Sequence, residues 1–361
     1  MAKNQIQFQQ GYSLFEFMED YGTEQKCEAA LFKWRFPNGY VCRNCGNKTY
    51  SQLKCRKLLQ CNKCSHQHSL TSGTLFAHTR LPLTKWFMAI HLLTQSKTGV
   101  SAMELKRQLG VNYNTAWKMK HKLLQTMKEA DDKVFIGGII QLDDVYWGGE
   151  SRGGKRGRGA AGKTPFVAAV ALDKEGHPTK MKMTVIDGFR SEQIEAWAKQ
   201  HVHKSSLIIS DKLACFGAVI EAGCGHISMK TGGNLDLLDD PAFKWVNIMI
   251  GNVKNSLRGR CHAIGKSHLP RYLAEFCFRF NNRFDLRKLL PKLDSVVTKY
   301  WPIKQYSVFV LPLKMMPYSW RNVWQCLANA LNVKKHSQPD DAIGTTLCHT
   351  LAPPYGFSLQ E

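Results

Sequence analysis

The chain has 361 residues, with 50 Lys and Arg against 28 Asp and Glu, a formal net charge of +22. That length allows two or three domains, and the imbalance selects a polyanionic partner and disfavours an acidic one. No run approaches the roughly 18 apolar residues of a membrane span, and the opening MAKNQIQFQQ lacks the apolar core of a signal peptide. The 12 cysteines are therefore expected to be reduced, and paired ones to be metal ligands before disulfides.

Residues 11–35 read as helical, with apolar Leu14, Phe15, Phe17, Met18, Leu31 and Trp34. Cys42-Arg-Asn-Cys45 and Cys61-Asn-Lys-Cys64 follow, 15 residues apart. Each Cys-x-x-Cys turn points two thiolates at one ion, and two turns complete the tetrahedron that zinc prefers. Such a site is closed, so the zinc is expected to be structural. His66 and His68 stand close enough to substitute, but four sulfurs suffice. Cys27 and Cys55 lack partners at that spacing and read as ordinary buried cysteines. Arg43, Lys48, Lys54, Arg56, Lys57 and Lys63 make the ribbon basic, as DNA contact would require.

Residues 83–127 read as all helical. Ser101 is expected to cap a helix with Glu104 completing a capping box, and Gly110 to stop it. Asn112 or Asn114 starts the next helix, Thr115 to about Met127. Two helices joined by a short Gly-containing turn match a helix-turn-helix. Lys118, Lys120, His121 and Lys122 give the second helix a basic character suited to DNA.

The stretch Ile136 to Gly149, IGGIIQLDDVYWGG, is an aliphatic run that stops on Asp143 and Asp144, the pattern of a buried strand delivering a carboxylate to a sheet edge. Adjacent strand residues point to opposite faces, so only one of the two acids serves. Glu150 to Lys163 is expected to be a mobile basic loop, and it contains no P-loop pattern. Pro165–Leu172 and Met181–Ile186 read as strands with Asp173–His177 as their turn, and Gly188 to His201 as a helix. Leu207 to Asp211 is again a strand ending on an acid. Pro241 to Arg260 reads as a helix carrying Asn247, Gly251 and Lys254 on one face, over about 10.5 Å. This order predicts an α/β, ribonuclease-H-like catalytic domain, a mixed sheet flanked by helices, behind a zinc ribbon and a helix-turn-helix-like region. Its chemistry uses oxygens brought together by strand ends and a late helix to hold two Mg²⁺ ions around a phosphodiester. His268–Asp285 reads as one more helix. Boundaries are expected at 1–38 (helical), 39–75 (ribbon), 80–130 (DNA-binding helices), 134–290 (catalytic) and 291–361, which has helical promise around Ser319–Leu331 and no assignable role.

From about Ser13 to Leu286 the chain resembles the fifteen-ninety-five family of bacterial insertion-sequence transposases. The matching stretches are the two Cys pairs, Thr71-Ser-Gly-Thr74, Leu83-Thr-Lys-Trp86, Gly99-Val-Ser-Ala102, Arg107-Gln-Leu-Gly-Val111 and Thr115-Ala-Trp117. Further on come Leu142-Asp-Asp-Val-Tyr146 with Gly148-Gly149, Ser210-Asp211, Gly251-Asn-Val-Lys254, Gly259, His262 and Arg271-Tyr-Leu-Ala-Glu-Phe276. The resemblance implies Asp143 as first catalytic Asp and Asp211 as second, then Asn247 after 35 intervening residues and Lys254 seven beyond it. This is the Asp-Asp-Asn-Lys variant of the Asp-Asp-Glu triad. It implies Mg²⁺ or Mn²⁺ at the catalytic site, DNA element ends and target DNA as partners, a dimer or larger assembly, and action in the bacterial cytoplasm at the nucleoid. Asn247 offers a neutral carbonyl where the Asp-Asp-Glu triad has a carboxylate, so a weaker second metal is expected, or help from another acid. Glu275 is the first candidate for that help, or else a salt bridge to Arg271 or Arg279. Lys254 is expected to contact a DNA phosphate. Asp144 is the alternative to Asp143, and His262 touches DNA or is structural. Rival readings are a DNA-binding regulator with an inactive catalytic domain, and a structure-specific nuclease that cuts without joining.

Overall fold

The computed structural model describes residues 11–53, 56–148, 162–229, 242–261, 263–290 and 293. Expectations placed on Lys54, Cys55, residues 149–161, Pro241, His262 and the region beyond 293 lie outside these. The described residues fall within one compact unit, Met1–Pro302.

Two helices open the chain, α1 (Leu14–Tyr21) and α2 (Glu24–Arg35). The predicted single helical stretch is broken at Gly22, because Ser13 and Thr23 each start a helix by accepting the N–H three residues on. The ribbon follows as an antiparallel sheet of β1 (Tyr50–Leu53), β2 (Leu58–Cys61) and β3 (Gln67–Ser69). Its core is small: Tyr40, Cys42, Leu59 and Cys61, flanked by Phe32 and Phe36.

Helices α3 (Leu83–Gln95), α4 (Ala102–Leu109) and α5 (Tyr113–Asp131) form the next layer. Gly110, at φ +59°, ends α4 in the left-handed conformation, and Asn112 Oδ1 accepts Thr115 N–H to begin α5. Ser101 caps α4 as expected, but Glu104 does not complete the box: its carboxylate receives Gln108. The basic character expected of α5 is also corrected. Lys120 and His121 are 1% and 2% exposed, Lys120 lying over the Tyr272 ring and His121 against Trp117. Of that group Lys118 is exposed and Lys122 half-buried. The helix is turned inward because its Ala116, Met119, Leu123 and Met127 join a core shared with Phe278, Leu289 and Leu290 from late in the chain.

The central sheet has five strands: β4 (Ile139–Trp147), β5 (Thr164–Leu172), β6 (Pro178–Val185), β7 (Leu207–Asp211) and β8 (Gly225–Met229). Their order is β6-β5-β4-β7-β8. The β4-β5-β6 meander is antiparallel, and β7 and β8 add in parallel beyond β4. Helix α6 (Ser191–His201) and a 3-10 helix (Ala214–Ala222) cover one face. Helices α7 (Lys244–Arg260) and α8 (Leu269–Asn281) cover the other, with Leu124 of α5. This is a ribonuclease-H-like sheet. β5 is buried along eight of its nine residues, as a strand covered on both faces must be. The 3-10 helix and β8 were not predicted, and α8 ends at Asn281, four residues before the expected Asp285.

Candidate active site and zinc-ribbon centre

β4 alternates cleanly. Ile140 and Leu142 enter the core under α6, and Tyr146 meets Phe189 on that side. Gln141 and Val145 face α7. Asp143 therefore faces α7, and Asp144 the opposite side. The same alternation on β7, with Ile208 under α6 and Ile209 toward α7, turns Asp211 toward α7. Leu142 pairs with Ser210 in the parallel ladder, which puts Asp143 and Asp211 side by side on adjacent strands; such strands lie about 4.8 Å apart.

The expected strand end is corrected in one respect. β4 runs four residues past Asp143, pairing with β5 as far as Trp147 opposite Thr164. Only its ladder with β7 stops at Leu142. Asp143 thus sits where β7 and β4 part, backed by a strand that continues.

Both acids are fixed from their own backbone neighbourhood. Asp143 Oδ1 accepts Asp144 N–H at 2.8 Å, and Asp211 Oδ1 accepts Leu213 N–H at 3.1 Å. Burial pushes the Asp143 carboxyl up to about 7, as does the charge of Asp144; the Asp144 N–H opposes this, Asp211 adds to it, and Lys254 opposes it. Asp143 and Asp211, side by side on adjacent strands, make a patch of negative charge that favours a cation. Burial lowers Lys254, with Arg258 and Lys163 acting the same way and Asp143 opposing.

Helix α7 is tied to β4 by a side chain. Gln141 Oε1 accepts the N–H groups of Trp245 and Val246, at 3.0 and 2.9 Å. This caps the first turn of α7 and sets the helix beside Asp143. Asn247, Gly251 and Lys254 form a half-buried stripe along it, beside the buried Val246, Ile250 and Val253. Gln141 was not predicted; no local pattern marks a strand glutamine as the cap of a helix 104 residues away.

Glu275 is fully buried. Its oxygens receive Arg260 Nη1 at 2.8 and 3.0 Å, and Arg279 Nε lies 3.7 Å away. Of the two expected pairings, Arg279 is present, while Arg271 instead donates to Gln125. Arg260, the strongest partner, was missed. The carboxylate is thus taken up between α7 and α8, without entering the surroundings of Asp143. His262 lies outside the described residues.

In the ribbon the four sulfurs of Cys42, Cys45, Cys61 and Cys64 lie within 4.8 Å of one another. Cys42 Sγ to Cys64 Sγ is 3.6 Å and Cys45 Sγ to Cys61 Sγ 3.5 Å. A zinc tetrahedron with bonds of about 2.3 Å has edges of about 3.8 Å, so the four thiols fit that ion. Burial raises the Cys61 thiol, but the N–H groups of Cys64 and Lys63, the Asn47 amide and Cys45 outweigh it and bring it down to about 6, readying a thiolate. His66 is exposed. His68 stacks on Tyr40 at 5.7 Å and is kept neutral by burial, so neither substitutes. Cys27 is buried, its thiol on Tyr21 O, as expected of a structural cysteine. A second group of donors, Asp173, Glu175 and His177, lies on the β5–β6 turn. Asp173 Oδ1 there accepts Glu175 and His177 N–H, which accounts for it as a turn-former.

Among the described residues no helix is long and apolar enough to cross a membrane. Two family models match the chain: a transposase zinc-ribbon domain over residues 22–67 and an ISXO2-like transposase domain over residues 135–281. A protein of the transposable element ISH50 of Halobacterium salinarum, itself uncharacterised, is 23% identical over 127 residues, 34% of this chain. The match spans 42% of that relative's length. The chain belongs to the insertion-sequence transposases that join a zinc ribbon to an ISXO2-like transposase domain, the fifteen-ninety-five family.

Proposed function

We propose that this chain is a DNA transposase that binds the ends of its element and carries out Mg²⁺-dependent strand cleavage and strand transfer. The observation that carries this is the adjacency of Asp143 and Asp211 on one face of the sheet, with the Asn247–Lys254 stripe on the helix that packs there. Asp143, Asp211 and Asn247 would hold Mg²⁺ or Mn²⁺, their oxygens being the donors such hard cations take. Such ions, if bound there, would supply Lewis-acid neutralisation of charge on a scissile phosphate. Lys254 contacts a phosphate beside them. Asp144 lies on the opposite face of β4 and is not assigned to the metal. Asn247 contributes no charge, so the second ion binds more weakly. The attack by water and then by a freed 3′-hydroxyl is what the family implies. The same resemblance implies a dimer or larger assembly in the cytoplasm, and the exposed Arg43, Lys48 and Lys63 of the ribbon suit DNA contact.

The test is Asp143→Asn assayed on element-end duplexes with Mg²⁺. Loss of both cleavage and joining with end binding retained supports the reading. Undiminished joining removes Asp143 from the site. Wild type that binds but never cuts indicates a regulator, and cutting without joining a nuclease.

A further inference from the structure

The interior between α7, α8 and the loop 96–99 carries more positive than negative charge. Lys120, Arg260 and Arg279 surround Glu275, the one carboxylate among them. The Lys120, Arg260 and Arg279 side chains are each at least nine-tenths buried. Both guanidinium groups are held rigidly. Arg260 Nε donates to Ser256 O and Nη1 to Glu275; Arg279 Nη1 donates to the carbonyls of Ser96 and Lys97, at 2.8 and 2.6 Å. Yet Arg260 Nη2 and Arg279 Nη2 have no hydrogen-bond partner among the described residues. Leaving such charged donors unpaired away from water is expensive, and a surplus of buried cations asks for an anion.

Both arginines line a groove of about 810 Å³ that runs along the outer side of α7. Its other walls include the amides of Asn252 and Asn255 and the rings of Trp245, Phe276 and Phe280. On the helix wheel this face lies roughly 130° from the Asn247–Lys254 stripe, at 100° per residue. It is therefore a site separate from the candidate active site. Two guanidinium groups lining one groove suit phosphate oxygens. Aromatic walls beside them suit bases that are not already stacked in a duplex.

We propose that this groove binds an unpaired DNA strand, with one phosphate on Arg260 and Arg279 and flanking bases on the aromatic walls. The transposase reading supplies the source of the strand, since a cleaved strand end is free to leave its complement. The anion site itself stands on the arginines alone.

The test uses full-length, zinc-loaded protein and the double variant Asn252→Asp/Asn255→Asp. Both residues are exposed groove walls outside the ion cluster, so the fold is retained. Inorganic phosphate should raise the wild-type melting temperature above chloride of equal ionic strength, and raise the variant's less. An oligothymidine of about ten nucleotides, followed by fluorescence anisotropy, should bind the variant at least about tenfold more weakly. Element-end duplex should bind both proteins alike. Equal strand affinity in the two proteins, or no phosphate-specific stabilisation of the wild type, overturns the proposal. So does stronger protection by polyglutamate than by the strand, which would reassign the groove to an acidic peptide. Loss of duplex binding and cleavage in the wild type would sink the transposase reading instead, while the phosphate arm still reads the groove.

Discussion

Gln141 on β4 accepts the backbone N–H of Val246 on α7 at 2.9 Å, and the same oxygen takes the N–H of Trp245. One buried amide thus joins the strand bearing Asp143 to the helix bearing Asn247 and Lys254. Gln141→Leu leaves two helix-start donors without a partner, at about 1–3 kcal/mol for each one that stays buried. Urea denaturation should show that loss, and Mg²⁺-dependent cleavage should fall with it. Gln141→Glu keeps the one oxygen that accepts both N–H groups, and the helix N-terminus favours its charge, so it should lose less than Gln141→Leu. Equal stability of wild type and Gln141→Leu would show that the cap contributes nothing.

A second tie joins the helical region to α7. Gly99, at φ +81°, passes directly over the Arg260–Glu275 pair. A Cβ there would stand 1.9 Å from Arg260 Nη1 and 2.5 Å from Glu275 Oε1. Neither atom has a free direction of retreat, since both belong to one buried pair between α7 and α8. Gly99→Ala therefore breaks the pair or displaces the loop, and leaves buried charge uncompensated, which costs about 3–5 kcal/mol. Thermal or urea unfolding reads this directly. A variant as stable as wild type would mean that the loop moves aside without cost.

The sequence carried the acids, the ribbon and the α4–α5 turn, because each is written in local pattern. Aliphatic runs ending on Asp143 and Asp211, paired cysteines at fixed spacing, and Gly110 before Asn112 need no distant partner to be read. What stayed hidden depends on tertiary contact. β8 is five residues long and half-exposed, so it has no hydrophobic run to announce it. Lys120 on a basic helix looks like a surface residue until Glu275 and Tyr272 arrive from the far end of the chain. The strand end at Asp143 was half legible: the pattern showed where β7 leaves, and the pairing of residues 144–147 with β5 it could not show.

Zinc removal should act locally. The ribbon's own core is four side chains, two of them cysteines, whereas the central sheet is clamped between two large clusters. Small modules of this kind need the ion in place of a core. A chelator, or Cys61→Ser, should therefore abolish hydrogen-exchange protection in β1–β3 and leave it intact in β4 and β5. Protection lost equally in both would show that the ribbon holds the whole fold together.

His121 gives a pH dependence with a definite sign. It is buried against Trp117, and its ring is depressed to about 3 by burial first, then by His268, Arg271 and Lys120. In the unfolded chain the same imidazole titrates near 6.5. Above that pH both states are neutral and His121 contributes nothing to the slope. As pH falls below 6.5, the unfolded chain takes a proton that the folded protein refuses, so stability declines, by up to about 1.4 kcal/mol per pH unit. His201, depressed to about 4 by burial and by Lys182, acts in the same direction. Asp131 and Asp143, raised by burial to about 6 and about 7, act oppositely over part of this range. The informative quantity is thus the difference between wild type and His121→Gln, which keeps a polar group near the Tyr272 hydroxyl but cannot titrate. Denaturant titrations from pH 6.5 to 4.5 should give the variant a shallower loss of stability. Parallel slopes would mean that His121 is protonated as readily folded as unfolded.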